Sequence, residues 1–322
     1  MKKTIVTLCA VFCTASWTAI VSAQGSDNIQ SFSHLVNVRA FMGLTALNVD
    51  FTTDYTPSSE KVSYRPNPGS GKYYGVGLSW EGIGISFTGD IRPDDSDRKK
   101  YGDSTYENIS VFLYLRNLSI DIFYKRNKGL YLSNPEAFGL HAGDPETIRP
   151  DLSLASLGVQ ACFVFSDDFS MIGAFNQTER QLESGGSIFL MASLLRYTVD
   201  AGGPLVPAAY DGGKYAGFYG GRFYSVSAGP GYAYTFIYME LYLTLGAFLG
   251  LDIVYQQMDV ASGEKSCFTA MLRSGIKSAM GYNGESYFAG VLAAYDAVTG
   301  VMGELTADRK TFNLEFFAGT RL

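Results

Sequence analysis

Histidine is almost missing from this sequence: His34 and His141 are the only two, more than a hundred residues apart. A hydrolase built on a nucleophile and a base, or a metal centre built on imidazoles, has little to draw on. No serine motif stands out near His141, and Asp144 and Glu146 beside it read as solvated loop acids. No catalytic residue is assigned, and the chain is not expected to be an enzyme. Cysteine is also scarce. Cys9 and Cys13 fall in an apolar N-terminal stretch, which leaves Cys162 and Cys267, too few for a disulfide scaffold. The two could pair in an oxidising compartment, or stay free on inward faces of separate strands. Charged residues make up only 17% of the chain. Glycine-rich pieces such as Gly82-Ile83-Gly84 and residues 217–221 lead into no helix, so they are not phosphate loops. No cofactor and no metal are expected. One loop crowds Asp90, Asp94, Asp95 and Asp97 together, but Arg92, Arg98, Lys99 and Lys100 are interleaved with them. That mixture reads as a solvated loop rather than a cation site.

The first residues set the compartment. Lys2 and Lys3 precede an apolar stretch from Ile5 to about Val21, and Val21-Ser22-Ala23 offers small residues for cleavage before Gln24. Residues 1–23 read as a secretory signal peptide. An uncleaved anchor is the alternative, since the stretch is about long enough to span, but the cleavage site argues against it. No thiol follows the small residues, which disfavours a lipoprotein. Removing residues 1–23 takes away two lysines and no acids, leaving 23 basic and 31 acidic side chains, a net charge of −8. That balance excludes a nucleic-acid partner, which needs a basic face.

What is abundant is aromatic and glycine: 22 tyrosines, 22 phenylalanines and 36 glycines. Residues 238–255 are the most apolar stretch of the expected mature chain, yet the uncharged run between Glu240 and Asp252 has only eleven residues. A spanning helix needs about twenty. Alternation accounts for the stretch better. Met239, Leu241, Leu243, Leu245, Ala247, Leu249, Leu251 and Ile253 make one face, purely apolar. Glu240, Tyr242, Thr244, Gly246, Phe248, Gly250 and Asp252 make the other. A period of two places these sets on opposite sides of a strand, one fit for lipid and one for a barrel interior.

The pattern recurs along the chain. Residues 109–115 and 118–125 alternate around a tight Arg116-Asn117 turn, and 74–80 and 83–87 around Glu81-Gly82. Leu157 to Phe163 leads into Asp167-Asp168, read as a third tight turn. Residues 223–234 with 238–256, and 267–277 with 286–296, form the fourth and fifth hairpins. Longer polar links lie between them at 52–71, 91–104, 127–151, 198–221, 257–265 and 299–310. Short turns alternating with long loops mark a transmembrane barrel, and a soluble β-sandwich has less reason to sort its connections so. Phe169 to Val199 is read as one long strand kinked near Ser184-Gly185-Gly186. The fold is therefore all-β, a transmembrane antiparallel up-and-down β-barrel of about twelve strands, with fourteen as the alternative because such barrels have even counts. The domains are a signal peptide (1–23), a short polar periplasmic lead-in (24–33) and a barrel (34–322). The last strand, 312–322, alternates to its end and closes against the first; it finishes on Leu322 rather than the aromatic residue that barrel-assembly machinery commonly recognises.

Three stretches carry a resemblance. Tyr64-Arg65-Pro66-Asn67 precedes GKYYGVGLSW; residues 124–134 read YKRNKGLYLSN; residues 175–187 read FNQTERQLESGGS after the GVQACFVFSDDFS hairpin. Together they resemble a family of Bacteroides-type outer-membrane proteins known only as a domain of unknown function, DUF4421, over essentially the whole expected mature chain. The family pattern leads one to expect Ala at 185 and Phe at 130, where this chain has Gly and Leu. The resemblance implies a Gram-negative outer-membrane barrel and supplies no activity.

Candidate lumen residues are Asp121, Lys125, Gln160, Glu240, Asp252, Arg273, Lys277 and Glu315, mixed in sign and therefore weakly selective for ions. Glu179, Arg180 and Glu183 stand near the expected kink. There, Glu179 and Arg180 could plug or gate the lumen, or simply pair with interior charges such as Arg273 or Lys277. Two functions follow. One is a narrow, porin-like passive channel for small solutes; the other is a non-conducting structural or surface-interaction barrel. Large inward residues (Phe112, Tyr114, Phe123, Tyr242, Phe248) hint at a filled lumen, and Tyr210, Tyr215, Phe218 and Tyr219 at a recognition loop. A membrane-embedded hydrolase would need His141. The expected partners are outer-membrane lipid, lipopolysaccharide, the barrel-assembly machinery and a small solute.

Overall fold

The computed structural model describes residues 27–53, 61–206, 216–300 and 305–322. The expected signal peptide and the loop tyrosines Tyr210 and Tyr215 lie outside these residues. Strands β1 (Ile29–Ser31), β2 (Asn37–Thr53), β3 (Val62–Arg65), β4 (Lys72–Trp80) and β5 (Ile83–Asp90) precede helix α1 (Asp95–Tyr101). Then come β6 (Thr105–Leu115), β7 (Leu118–Leu132) and β8 (Ile148–Val164), helix α2 (Met171–Phe175) and β9 (Glu179–Gln181). The remainder is β10 (Gly185–Asp200), β11 (Gly220–Tyr238), β12 (Leu241–Val260), β13 (Gly263–Asn283), β14 (Tyr287–Gly300) and β15 (Leu305–Arg321).

Twelve of these strands form a closed antiparallel ring, β2-β4-β5-β6-β7-β8-β10-β11-β12-β13-β14-β15, and β15 pairs with β2 from Arg321↔Asn37 to Leu305↔Thr53. The short β3 fills a gap between β2 and β7 at the rim, and β1 pairs only with β9. Closure matters because lipid offers no partner for a free strand edge. Among the described residues no helix is long and apolar enough to cross a membrane; the strands are the spanning elements.

The alternation read in 238–255 is realised in β12. Leu249, Leu251 and Ile253 face outward, more than half exposed, while Tyr242, Thr244 and Asp252 are buried inside. Aromatic side chains mark both borders of the apolar belt: Trp80, Tyr238 and Tyr287 at the end with the short turns, Tyr74, Tyr224 and Phe268 towards the other. The Glu81-Gly82 turn has positive φ at both residues (49° and 77°), the geometry that matches the twist of a two-residue hairpin.

The structure departs from the sequence reading at three places. The expected long strand 169–199 exists only from Gly185; residues 165–184 instead turn into the end of the barrel, carrying α2 and β9, so Asp167-Asp168 opens a long connection rather than a tight turn. Ile172, Gly173, Ala174 and Phe175 are all buried, so α2 lacks the polar face that would betray a helix in sequence. The expected links 257–265 and 299–310 are mostly strand: β12 and β13 join through Ala261-Ser262, and β15 begins at Leu305. β11, β12 and β13 have 19, 20 and 21 residues, about twice what crosses a bilayer. Their ends continue beyond the apolar belt, where Met258 and Val260 of β12 pack into a buried core, while Gln257, Asp259 and the polar residues that follow make the stretch read as loop. Finally, the lead-in 24–33 contains β1, paired with β9.

Five glycines and five phenylalanines share one structural cause. Phe41, Phe189, Phe248, Phe288 and Phe317 stand directly across the ladder from Gly75, Gly231, Gly275, Gly319 and Gly290. Each ring lies where a Cβ on its glycine would be; at Gly75, Gly231, Gly275 and Gly319 that Cβ would sit 2.2 Å from a ring carbon. The glycines let inward rings lie flat against the wall. Gly275→Ala is expected to destabilise the barrel by about 1–3 kcal/mol, as overpacking does. Urea titration of the folded band on unboiled gels would register it; an unchanged midpoint would refute this reading of the pair.

Candidate functional site

The interior is built in three storeys. At the end bearing the short turns, residues 165–184 and β1 form a plug. Backbone bonds from Phe32 to Thr178 (2.9 Å) and Leu182 to Asn28 (2.8 Å) extend the β1–β9 pair. The Ser170 hydroxyl caps α2, accepting from the Gly173 amide at 2.7 Å, and donates to the Glu179 carboxylate. Ser170 is also held through its amide by Gln181.

Five barrel strands grip this plug. Arg39 of β2 donates to the Phe175 carbonyl at 3.0 Å, and Asn176 donates to the Tyr114 hydroxyl of β6. Gln177 donates to Tyr242 of β12 at 3.1 Å, and Asn283 of β13 to the Glu179 carbonyl at 2.9 Å. The last grip is Arg321 of β15. Its guanidinium lies between the rings of Phe32 (3.9 Å) and Phe288 (4.9 Å) and donates to the carbonyls of Gln177 and Gly284 and to Asn283 Oδ1. Gln177 is fully buried and held at φ 59°, a strained conformation that these contacts enforce.

Above the plug lies a cavity of about 520 Å³. Phe175 and Asn176 form its floor and aromatic rings much of its wall. Two charge networks cross it. Arg39 pairs with Glu315 at 2.5 Å, Tyr73 donates to the other Glu315 oxygen at 3.2 Å, and the Phe317 ring lies 4.1 Å from the guanidinium. Arg273 pairs with Asp296 at 3.0 Å and donates to Ser193 (2.8 Å), Ser227 (3.1 Å) and Gln160 (3.3 Å). Asp296 also meets Arg309 at 3.7 Å, and Asp252 accepts from Ser225. At the far end a hydrophobic core, including Phe51, Val62, Tyr64, Leu130, Leu152, Leu205 and Phe218, packs together beyond the cavity. Tyr64 donates to the Leu205 carbonyl at 2.6 Å, tying β3 to the segment that follows β10.

Asp121, Lys125, Gln160, Asp252, Arg273, Lys277 and Glu315, expected in the lumen, all line the cavity. So do Phe112, Tyr114, Phe123 and Phe248, whereas Tyr242 is buried beneath the plug. Glu240 does not belong to this set: it sits on the Met239-Glu240 turn at the rim, where Arg180 meets it at 3.4 Å. Arg180 also donates to Gln30 at 2.6 Å, and Glu183 is exposed. Neither Glu179 nor Arg180 pairs with Arg273 or Lys277; both are parts of the plug. Sequence reasoning missed Arg39, Asp296 and Arg309 as lumen charges, although each lies in phase with an inward face. Nothing local in the sequence singles out Gln177 or Asn283.

His34 and His141 are both exposed, on opposite sides of the barrel. The crowded acids are local structure: Asp94 caps α1, and hydrogen bonds from the Asp97 amide and the Ser96 hydroxyl hold its carboxyl below the usual range. Arg98 pairs with Asp103 at 2.6 Å and with Asp95 at 3.3 Å. Cys162 and Cys267 are free.

Burial lifts the Glu179 carboxyl above its ordinary range, against the opposing pull of Ser170 and Arg116. A carboxyl whose folded pKa is raised binds protons better folded than unfolded, so its contribution favours the docked plug at low pH. That contribution fades as pH rises from the ordinary carboxylate value through the raised one. In a barrel whose floor is loosened by Arg321→Ala, openings should therefore be more frequent at pH 7 than at pH 5 in single-channel records, and adding Glu179→Gln should make them rare at both. Removing one partner of a buried ion pair costs about 3–5 kcal/mol. Asp296→Ala, which strands Arg273 and Arg309, is expected to lower thermal stability by that amount; Asp296→Ala with Arg273→Met should recover part of it.

A family model described as a domain of unknown function, DUF4421, matches residues 26–319. No curated protein matches the sequence significantly. Among solved structures, the outer membrane protease OmpT from Escherichia coli is similar at 8% identity, over 94% of this chain and 100% of that one, with a TM-score of 0.41. The translocator domain of the autotransporter NalP from Neisseria meningitidis is similar at 10% identity, over 98% and 96% of the two chains, with a TM-score of 0.39. LpxR from Salmonella typhimurium is similar at 9% identity, over 87% and 99%, with a TM-score of 0.34.

Proposed function

This chain belongs to the DUF4421 family, and since that description carries no activity, we propose from its own geometry that it is a non-conducting outer-membrane barrel, closed at rest. The plug carries this reading. A segment gripped by five strands, with its strained Gln177 held by Arg321 and Tyr242, is a built floor rather than a loop that has fallen into a pore. The hydrophobic core beyond the cavity supports the same reading from the other side. A passive channel would instead need a continuous water path past Phe175 and Asn176.

In this reading the protein works without catalysis, by what it encloses and by what its external loops touch. It reaches the outer membrane of a Gram-negative bacterium through the signal peptide and the barrel-assembly machinery. Lipid covers its belt, and lipopolysaccharide head groups meet the mixed charges around α1.

The wild-type chain, residues 24–322, is expected to be silent in planar bilayers once folded. Arg321→Ala, which removes the β15 grip, should give intermittent steps, and deletion of residues 170–183 should give long-lived ones. Steady conductance from the wild type would overturn the reading. So would silence of the deletion variant in a folded state.

A further inference from the structure

The charges of the cavity wall are unevenly paired. Its cations are Arg39, Lys125, Arg273, Lys277 and Arg309; its anions are Asp121, Asp252, Asp296, Asp308 and Glu315. Asp308, which stands across the ladder from the buried Asp50, is met from outside that wall by Lys61 at 2.5 Å. Glu315 meets Arg39, and Asp296 meets both Arg273 and Arg309. Among the described residues, Lys125 and Lys277 have no carboxylate within 4.0 Å; they lie by aromatic faces, Phe123 at 4.8 Å and Phe175 at 5.8 Å. Both ammonium groups interact electrostatically with Asp121 and with each other, and Lys125 also with Asp296 and Arg309, but no acid touches either one directly.

Ammonium groups among phenylalanine rings are costly to hold without an anion. A cavity of about 520 Å³ with mostly apolar walls and a few convergent polar groups has the size and character of a small-molecule site. We propose that the chamber binds a small organic acid, an apolar or aromatic body carrying a single carboxylate, with that carboxylate seated between Lys125 and Lys277 just above Phe175. A carboxylate there meets both ammonium groups. The rings of Phe112, Phe123 and Phe248 cover the body, while Arg39, Arg273 and Arg309 already have carboxylate partners of their own. The inference rests on the wall of the cavity and not on whether the barrel conducts.

The test uses the mature chain folded in lipid nanodiscs, equilibrated overnight with 2-naphthoate or its neutral counterpart 2-naphthamide, with empty nanodiscs as the blank. Naphthoate should bind at one per chain and about tenfold or more tightly than the amide, the margin of a charge-assisted hydrogen bond. Lys125→Met with Lys277→Met should bring the acid down to the level of the amide, while Lys125→Arg with Lys277→Arg should keep the preference. Arg222→Ala, on the exposed external rim, should change nothing. The Arg321→Ala barrel gives a second preparation with freer access, and binding of the acid in either preparation supports the site. An acid that binds no better than the amide in both, or a preference that survives loss of both lysines, overturns it. Conductance recorded on the same wild-type protein reports separately on closure, so failure of one reading is not mistaken for failure of the other.

Discussion

A ring of twelve strands in lipid must satisfy two surfaces at once, and everything else in this molecule follows from the inner one. The outer surface is simple: apolar side chains on alternate residues, aromatic borders, and β15 bonded to β2 so that no edge is left. The inner surface encloses a space wider than two facing side chains can fill. It is occupied by rings laid flat over cross-strand glycines, by guanidiniums that each reach several partners, and by a piece of the chain folded back inside.

These three solutions are linked. Phe288 lies flat because Gly319 leaves room for it, and the same ring forms one side of the slot that holds Arg321. Arg321 in turn grips the carbonyl of Gln177, a residue held in the left-handed region. Arg39 serves both storeys, pairing with Glu315 in the lumen and donating to Phe175 in the plug. The plug is thus continuous with the packing of the wall. Disturbing the charge network should be felt at the floor, and loosening the floor should be felt in the cavity.

Much of this was legible in the sequence because a strand writes its two faces directly into alternate residues. β12 could be read residue by residue, and the lumen positions of Asp121, Lys125, Arg273 and Lys277 followed from phase alone. Three kinds of information do not travel that way. At the end of β12 the polar Gln257 and Asp259 alternate with Met258 and Val260, which pack into a core built from distant segments, so the stretch looks like loop in sequence. The buried α2 has no polar face and is only five residues long, too short for a helical period to emerge. The contacts of Gln177, Asn283 and Arg321 join segments that are distant in the chain, and no local pattern signals them. The glycine–phenylalanine pairs fall in between: the abundance is visible, but the register that matches Phe41 to Gly75 or Phe248 to Gly275 becomes apparent only once the strands are paired.

The central claim is that the chamber is sealed on both sides while the barrel stands folded in a membrane. Thiol labelling tests it most directly. Ser156, on the cavity wall, is changed to cysteine in a Cys162→Ser, Cys267→Ser background, and a bulky charged maleimide is applied to each face of oriented proteoliposomes. The account predicts that the thiol stays unlabelled from either side until the barrel is unfolded, while a cysteine at exposed Glu264 on the rim reacts at once. Labelling of residue 156 at the rate of the rim control would contradict it.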